Sequence, residues 1–151
     1  MRWTRDADLA FLWAAYRKGA FNDVLLPDLP VQNFKEAVMD MMASVDLNWV
    51  VTIGDDLVGL FMARIVGHGH AIEPQVDWMP WASKRQQLEA TFAFLSMVSR
   101  EWKVLVYSAE KDAPFYGRLA TKYRILRKGC KIVNYFGGGD DAMLYYSPGP
   151  F

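Results

Sequence analysis

The chain has a single cysteine, two histidines, no excess of charge of either sign and no long uninterrupted apolar run. The lone Cys130 excludes an internal disulfide, and with eight Met and six Trp it fits a reducing compartment, so a cytoplasmic location is expected. Seventeen Lys plus Arg balance seventeen Asp plus Glu. That balance leaves no global field to gather nucleic acid or an anionic membrane, and neither is expected as a partner. No stretch approaches the roughly 20 apolar residues of a membrane span. The opening segment, with Asp6 and Asp8 ahead of a short apolar run, lacks the cleavage site of a signal peptide and reads as mature structure. Internal repeats and low-complexity linkers are missing too. What is present is apolar: 52% hydrophobic and 15% aromatic residues exclude a disordered chain. A length of 151 residues fits one domain, 1–151, with a sizeable core.

Periodicity orders the elements. Residues 1–4 suit a short edge strand. Leu9, Leu12, Trp13 and Tyr16 recur at helical spacing up to a stop near Gly19. The segment 22–30, with Pro27 and Pro30, predicts a loop, and Phe34, Val38, Met41 and Met42 a second helix. From Asn48 the pattern turns β-branched and aromatic. Two runs joined at Gly54-Asp55-Asp56 predict a hairpin. A third run, 70–79, follows the turn Gly67-His68-Gly69-His70, and Pro74 inside it implies a bulge or an edge position. Ser83 with Gln86 three residues on is a capping-box signature, and Leu88, Thr91, Phe92, Leu95, Val98 and Trp102 trace one face of a long helix behind it. A buried strand at 103–108 precedes a last helix opened by Asp112-Ala113-Pro114 and expected to run to Gly129. Residues 130–136 and 142–147 then read as a closing hairpin across the turn 137–141.

The order β-α-α-β-β-β-α-β-α-β-β resembles the GCN5-related N-acetyltransferase (GNAT) superfamily over nearly the whole chain. Local features resemble it as well: the opening Arg2-Trp3-Thr4 with Asp8-Leu9, the strand running into Val76-Asp77-Trp78-Met79-Pro80, and Gly129-Cys130 before the final hairpin. The abbreviated, aromatic-rich motifs resemble acetyltransferase-like proteins encoded by bacteriophages. The resemblance implies an α/β fold with a mixed, mostly antiparallel central sheet, one splayed strand and about four flanking helices. It also implies that backbone groups at Val76 and Trp78 pair with the pantetheine arm of acetyl-CoA. The pyrophosphate would then sit at the start of the next helix, among Lys84, Arg85 and Gln86. Free N–H groups and the positive end of the helix dipole favour an anion there. The chain departs from the family's pyrophosphate motif in carrying Leu88 where its central glycine stands, within Arg85-Gln86-Gln87-Leu88-Glu89-Ala90.

Acetyl transfer to an amine needs a base for the ammonium proton, an N–H to polarise the thioester carbonyl and an acid for the departing thiolate. The resemblance implies Glu73 as the base, acting through water; as a plain residue it equally reads as a surface carboxylate. The family's acid is a Tyr four residues before the glycine that ends the last helix. Counted from Gly129, that position is Ile125, and Tyr116 becomes the substitute, ahead of Tyr123, although a Tyr on an apolar helix face is more often core. His68 and His70 share a strand face if their segment is extended, yet no Cys or carboxylate stands at ligand spacing, and no metal is expected. His70 is a weaker alternative base. Cys130 reads as an inert thiol.

Two functions follow. The first is an acyl-CoA-dependent N-acetyltransferase acting on an amine of a small molecule or protein. The second is a catalytically inactive protein of the same fold that binds a protein partner through its aromatic residues, among them the cluster Trp78-Met79-Pro80-Trp81, Tyr145-Tyr146 and Phe151. The closing hairpin could pair across a homodimer.

Overall fold

The structure, a computed structural model, describes residues 2–3, 9–19 and 30–149. The elements run β1 (Arg2–Trp3), α1 (Leu9–Arg17), α2 (Val31–Ala43), β2 (Leu47–Ile53), β3 (Asp56–Val66), β4 (Ala71–Trp78), α3 (Lys84–Val98), β5 (Lys103–Ala109), α4 (Ala113–Thr121), β6 (Arg127–Gly137) and β7 (Asp140–Tyr146). The strand order is β1-β2-β3-β4-β5-β7-β6. β4 meets β5 in parallel, whereas β1 with β2, β2 with β3, β5 with β7 and β6 with β7 pair antiparallel. This is the mixed, mostly antiparallel α/β architecture expected from the sequence. Asp6, Asp8, the loop 22–29, the side chains of Met41 and Met42, and Phe151 lie outside the described residues. Among the described residues no helix is long and apolar enough to cross a membrane.

The chain forms two compact units, one of Met1–Arg64 with Gln75–Ala90, the other of Ile65–Pro74 with Thr91–Phe151. In the first unit, α1 presents Leu12, Ala15 and Tyr16, and α2 presents Phe34 and Val38, to one cluster with Val50, Leu60, Met62 and Met79. The i, i+3, i+4 spacing on each helix supplies this stripe. Tyr16 lies 4.8 Å from Phe34, and Trp13 5.0 Å from it, between ring centroids. The β2–β3 hairpin turns at Gly54, whose φ of +61° suits a residue without Cβ. Val58 to Ala63 of β3 are all buried, which needs apolar or small side chains on both faces.

In the second unit, Val104, Val106 and Ser108 of β5 alternate inward with period two. Past the end of β7, Ser147 continues the ladder: its N–H donates to Val104 O at 3.0 Å, and its Oγ accepts the Val104 N–H at 2.8 Å. β6 is the outer strand and is mostly exposed.

Two expectations need correction. The last helix stops at Thr121 and not at Gly129, so Tyr123 and Leu126 fall beyond it. The chain leaves through Arg124 at φ 55°, and the Ile125 N–H folds back onto Leu119 O at 3.1 Å. Gly129 lies within β6, where a Cβ would stand 3.1 Å from the Leu144 carbonyl, so this glycine permits close strand approach instead of ending a helix. On α3 the buried positions are Ala90, Thr91, Phe94, Leu95 and Val98, whereas Phe92 is 42% exposed and Trp102 lies past the helix. Thr91, Leu95 and Val98 are buried as expected, and Ala90 and Phe94 complete the stripe in place of Phe92.

Candidate functional site

β4 carries the centre of the candidate site, and backbone direction follows from two hydrogen bonds at its ends. The Lys103 N–H donates to His70 O at 3.0 Å, whereas the Met79 N–H donates to Val58 O of β3 at 3.0 Å. Because backbone groups of alternate residues point to opposite edges of a strand, the odd-numbered residues from 71 to 79 face β3. Val76 and Trp78 therefore direct their N–H and C=O groups away from β3. Among the described residues, pairing with β5 is confined to Ala71↔Lys103 and Ile72↔Val104, and none of them forms a strand ladder on this outer edge beyond Ile72. Pro74, also even, places its missing donor on the same edge, which is why a proline is accommodated in a strand with no break in Ala71–Trp78.

Trp78 fixes the end of the strand. Its ring crosses β3 at Gly59, where an added Cβ would lie 2.9 Å from Trp78 Cε3 and 3.3 Å from the Asp77 carbonyl, and it meets Phe61 edge-on at 5.4 Å. Three residues on, Trp81 donates its indole N–H to Leu57 O at 2.8 Å, with the Lys18 ammonium 5.5 Å from the ring centroid.

The next element is α3, and its capping box forms as expected. The Gln86 N–H donates to Ser83 Oγ at 3.1 Å while the Ser83 N–H donates to Gln86 Oε1 at 2.9 Å. The Gln86 N–H and Oε1 are thereby engaged in the cap, and its N–H is not open to a ligand. The N–H groups of Lys84 and Arg85 are first-turn donors with no carbonyl inside the helix to accept them. Both side chains are exposed. Leu88, half-buried, lies in the second turn of a regular helix, so no glycine-rich loop exists here for it to block.

Glu73 engages a group that sequence reasoning missed. Tyr107 of β5 lies close enough to Glu73 for the carboxylate charge to act on its phenol. Burial, then the Glu73 charge, then Tyr135 push the Tyr107 phenol above its ordinary value, so it stays protonated and remains a donor. The Tyr135 ring stacks on Tyr107 with centroids 4.8 Å apart and planes within 8°, and Phe136 meets Tyr135 edge-on at 4.9 Å. The one sequence signal was a tyrosine in an otherwise Val- and Leu-rich strand; its partners are 34 and 28 residues away.

Tyr116 lies in α4 away from that group. Its ring meets Phe115 edge-on at 5.2 Å and Tyr145 at 5.9 Å. Burial, and secondly the Asp112 carboxylate, push its phenol up to about 12. Tyr145, 3% exposed, directs its hydroxyl toward Ala113 O at 3.4 Å. A cleft of about 190 Å³ opens beside Tyr145, rimmed by Glu110, Lys128, Lys131, Asp141 and Met143, and none of the residues expected to act on substrate lines it. His68 and His70 are exposed; His68, at φ 56°, sits in a 3-10 turn, so the two do not share a strand face. Among the described residues no three His, Cys, Asp or Glu side chains group as metal ligands.

No family model matches the chain, and no curated protein matches it by sequence. Solved structures do match in three dimensions. A chimera of the Vibrio cholerae spermidine N-acetyltransferase SpeG and hSSAT is 16% identical with a TM-score of 0.68, over 97% of this chain and 92% of that one. A ribosomal-protein-alanine N-acetyltransferase from Brucella melitensis is 13% identical with a TM-score of 0.62, over 97% of both chains. An N-acetyltransferase from Staphylococcus aureus Mu50 is 11% identical with a TM-score of 0.62, over 96% and 94%. The likeness spans essentially the whole length on both sides, and the chain has the fold of the GCN5-related N-acetyltransferases.

Proposed function

We propose that the protein is an acyl-CoA-dependent N-acetyltransferase acting on an amine acceptor. The observation that carries this reading is the edge of β4. Val76 and Trp78 offer unladdered backbone groups, and the chain then runs through one turn into the uncapped N–H groups of Lys84 and Arg85. An extended, amide-bearing arm is suited to the first, and a pyrophosphate to the second. The donor supplies the activated acyl group; the chain's residues bind it, orient it and move protons. Glu73, three residues before Val76 on the same strand, takes the proton of the acceptor ammonium through water. The amine nitrogen then forms its bond to the thioester carbonyl carbon, the carbon–sulfur bond breaks, and the thiolate takes up a proton.

Tyr116 is poorly matched to that last step. Its place in α4 is one residue before Gly117, the position four residues before the observed end at Thr121. A phenol at about 12 gives its proton to a thiolate, whose acid has a pKa near ~8.5, only uphill. It can still donate a hydrogen bond, and we assign the proton itself to solvent. A docking role for the aromatic residues finds no support, since Trp78 packs on Gly59, Trp81 bonds to Leu57 and Tyr145 is buried.

The test is calorimetric titration of acetyl-CoA and CoA into the wild type and a Lys84→Ala/Arg85→Ala variant, followed by an acceptor screen. Polyamines and peptides with free N-termini lead the screen, since the structural neighbours are named for such amines. Micromolar donor binding that weakens in the variant is expected, with transfer lost in Glu73→Gln. Absence of binding at millimolar donor would overturn the proposal.

A further inference from the structure

We propose that Tyr135 and Phe136 are the acceptor subsite, an aromatic corner that selects an arylalkylamine, a primary amine carried on a short chain from an aromatic ring. The inference rests on the acyltransferase reading and names the class of its acceptor. The two rings stand at right angles, with centroids 4.9 Å apart and planes at 87°. Tyr135 is 46% exposed and Phe136 49%, so both offer surface to a ligand. A planar ring that stacks on one of two perpendicular rings meets the other edge-on. Both contacts are favourable, because aromatic faces are negative and aromatic edges positive. An alkyl group seated there gains burial alone.

The corner is held in one shape. Tyr135 stacks on Tyr107 of β5 with centroids 4.8 Å apart and planes within 8°. Its backbone leaves the ladder, since the pairing of β6 with β7 is interrupted between Ile132 and Gly137. Within the interruption Asn134 takes a φ of 55°, an uncommon conformation for a residue with a side chain. The Asn134 N–H donates to Asp141 Oδ1 at 2.8 Å, the Gly139 N–H donates to Asn134 Oδ1 at 2.8 Å, and Lys131 Nζ meets Asp141 Oδ2 at 2.9 Å. A segment that gives up ladder bonds, exposes apolar side chains and is still pinned fits a surface shaped for a ligand. The same contacts set its charge. Lys131 cancels Asp141, so the carboxylate that shapes the corner does not recruit a second ammonium, as a polyamine would require.

Glu73 lies on the same face of the sheet. Among the described residues, Ile72↔Val104 is the last pair between β4 and β5, and Ile72, Val104 and Val106 are all buried. Side chains alternate across a strand, so Glu73 and Tyr107 project from the opposite face, one and three residues past that pair. Tyr107 carries the Tyr135 ring. A single amine on a short chain can therefore address Glu73 while its ring stays at the corner.

The experiment separates seating of the ring from transfer. Saturation-transfer NMR of 2-phenylethylamine, 2-cyclohexylethylamine and spermidine is recorded with the wild type, Tyr135→Leu, Phe136→Leu and Tyr135→Phe, each checked for folding by circular dichroism. Acetyl transfer to the same amines is then measured. Ring protons of 2-phenylethylamine are expected to saturate with the wild type and with Tyr135→Phe, which keeps the ring, and to lose that signal with both Leu variants. Its kcat/KM is expected to exceed that of the cyclohexyl analogue about tenfold, with the ratio falling toward one in the Leu variants through KM. Phe136→Leu, at a half-exposed position, guards against a folding effect at Tyr135. A ratio near one in the wild type, a preference for spermidine, or a ratio untouched by the Leu variants overturns the aromatic corner while the transfer itself upholds the proposed function. Binding of the ring at the corner without transfer to any amine overturns the acyltransferase reading and leaves the corner as an arylalkylamine site. Neither binding nor transfer overturns both.

Discussion

Single residues set the local geometry here through contact and charge. Gly59 is the clearest case, because any Cβ there collides with the Trp78 ring at 2.9 Å and crowds the Asp77 carbonyl at 3.3 Å. Gly59→Ala is expected to destabilise by about 1–3 kcal/mol, the usual range for overpacking, and to weaken acetyl-CoA binding by tilting the end of β4. Urea denaturation followed by tryptophan fluorescence, and calorimetry, check the two effects. Tyr116 makes a prediction about pH. Its folded value of about 12 exceeds the ordinary ~10, so between those values the folded state holds a proton that the unfolded state releases. The stabilisation is fully present below pH ~10 and is lost as pH rises toward 12, by about 2–3 kcal/mol over the window. Tyr116→Phe removes that extra alkaline loss, so its stability falls less steeply than that of the wild type between pH ~9 and ~11.

Elements begin and end for reasons that are mostly local. The reciprocal bonds of Ser83 and Gln86 start α3 and set which first-turn N–H groups remain open. Ser83→Ala is expected to cost about 1 kcal/mol, seen as a lowered Tm, and to weaken donor affinity several-fold by fraying the turn that carries Lys84 and Arg85. This capping box was legible in the sequence because all its atoms lie within four residues. The end of α4 was not. Glycine is the common signal for a helix stop, yet Arg124 takes the left-handed conformation at the exit while Gly129 serves contact with Leu144 in a strand. One position of α3 was misread for a related reason: Phe92 and Phe94 are equally apolar, and only packing selects Phe94 for burial.

At the scale of the whole molecule, seventeen charges of each sign cancel, so any capture of an anionic donor relies on local cations. Raising salt from about 0.05 M to about 0.5 M is expected to weaken acetyl-CoA binding several-fold in the wild type and much less in Lys84→Ala/Arg85→Ala, because screening acts only on charges that are present. Calorimetry at the two salt concentrations measures this. The sequence by itself determined the order of the strands and helices, the hairpins at Gly54 and at 137–141, and the α3 cap, since periodicity, turn chemistry and capping act over a few residues. It pointed to Glu73, Val76 and Trp78 only through family resemblance. Tertiary structure alone decided that β4 leaves its ladder after Ile72, that Tyr145 is buried, and that Tyr135 stacks on Tyr107. Those contacts join residues tens of positions apart, and their formation depends on strand order and on a break in β6 that no local pattern encodes.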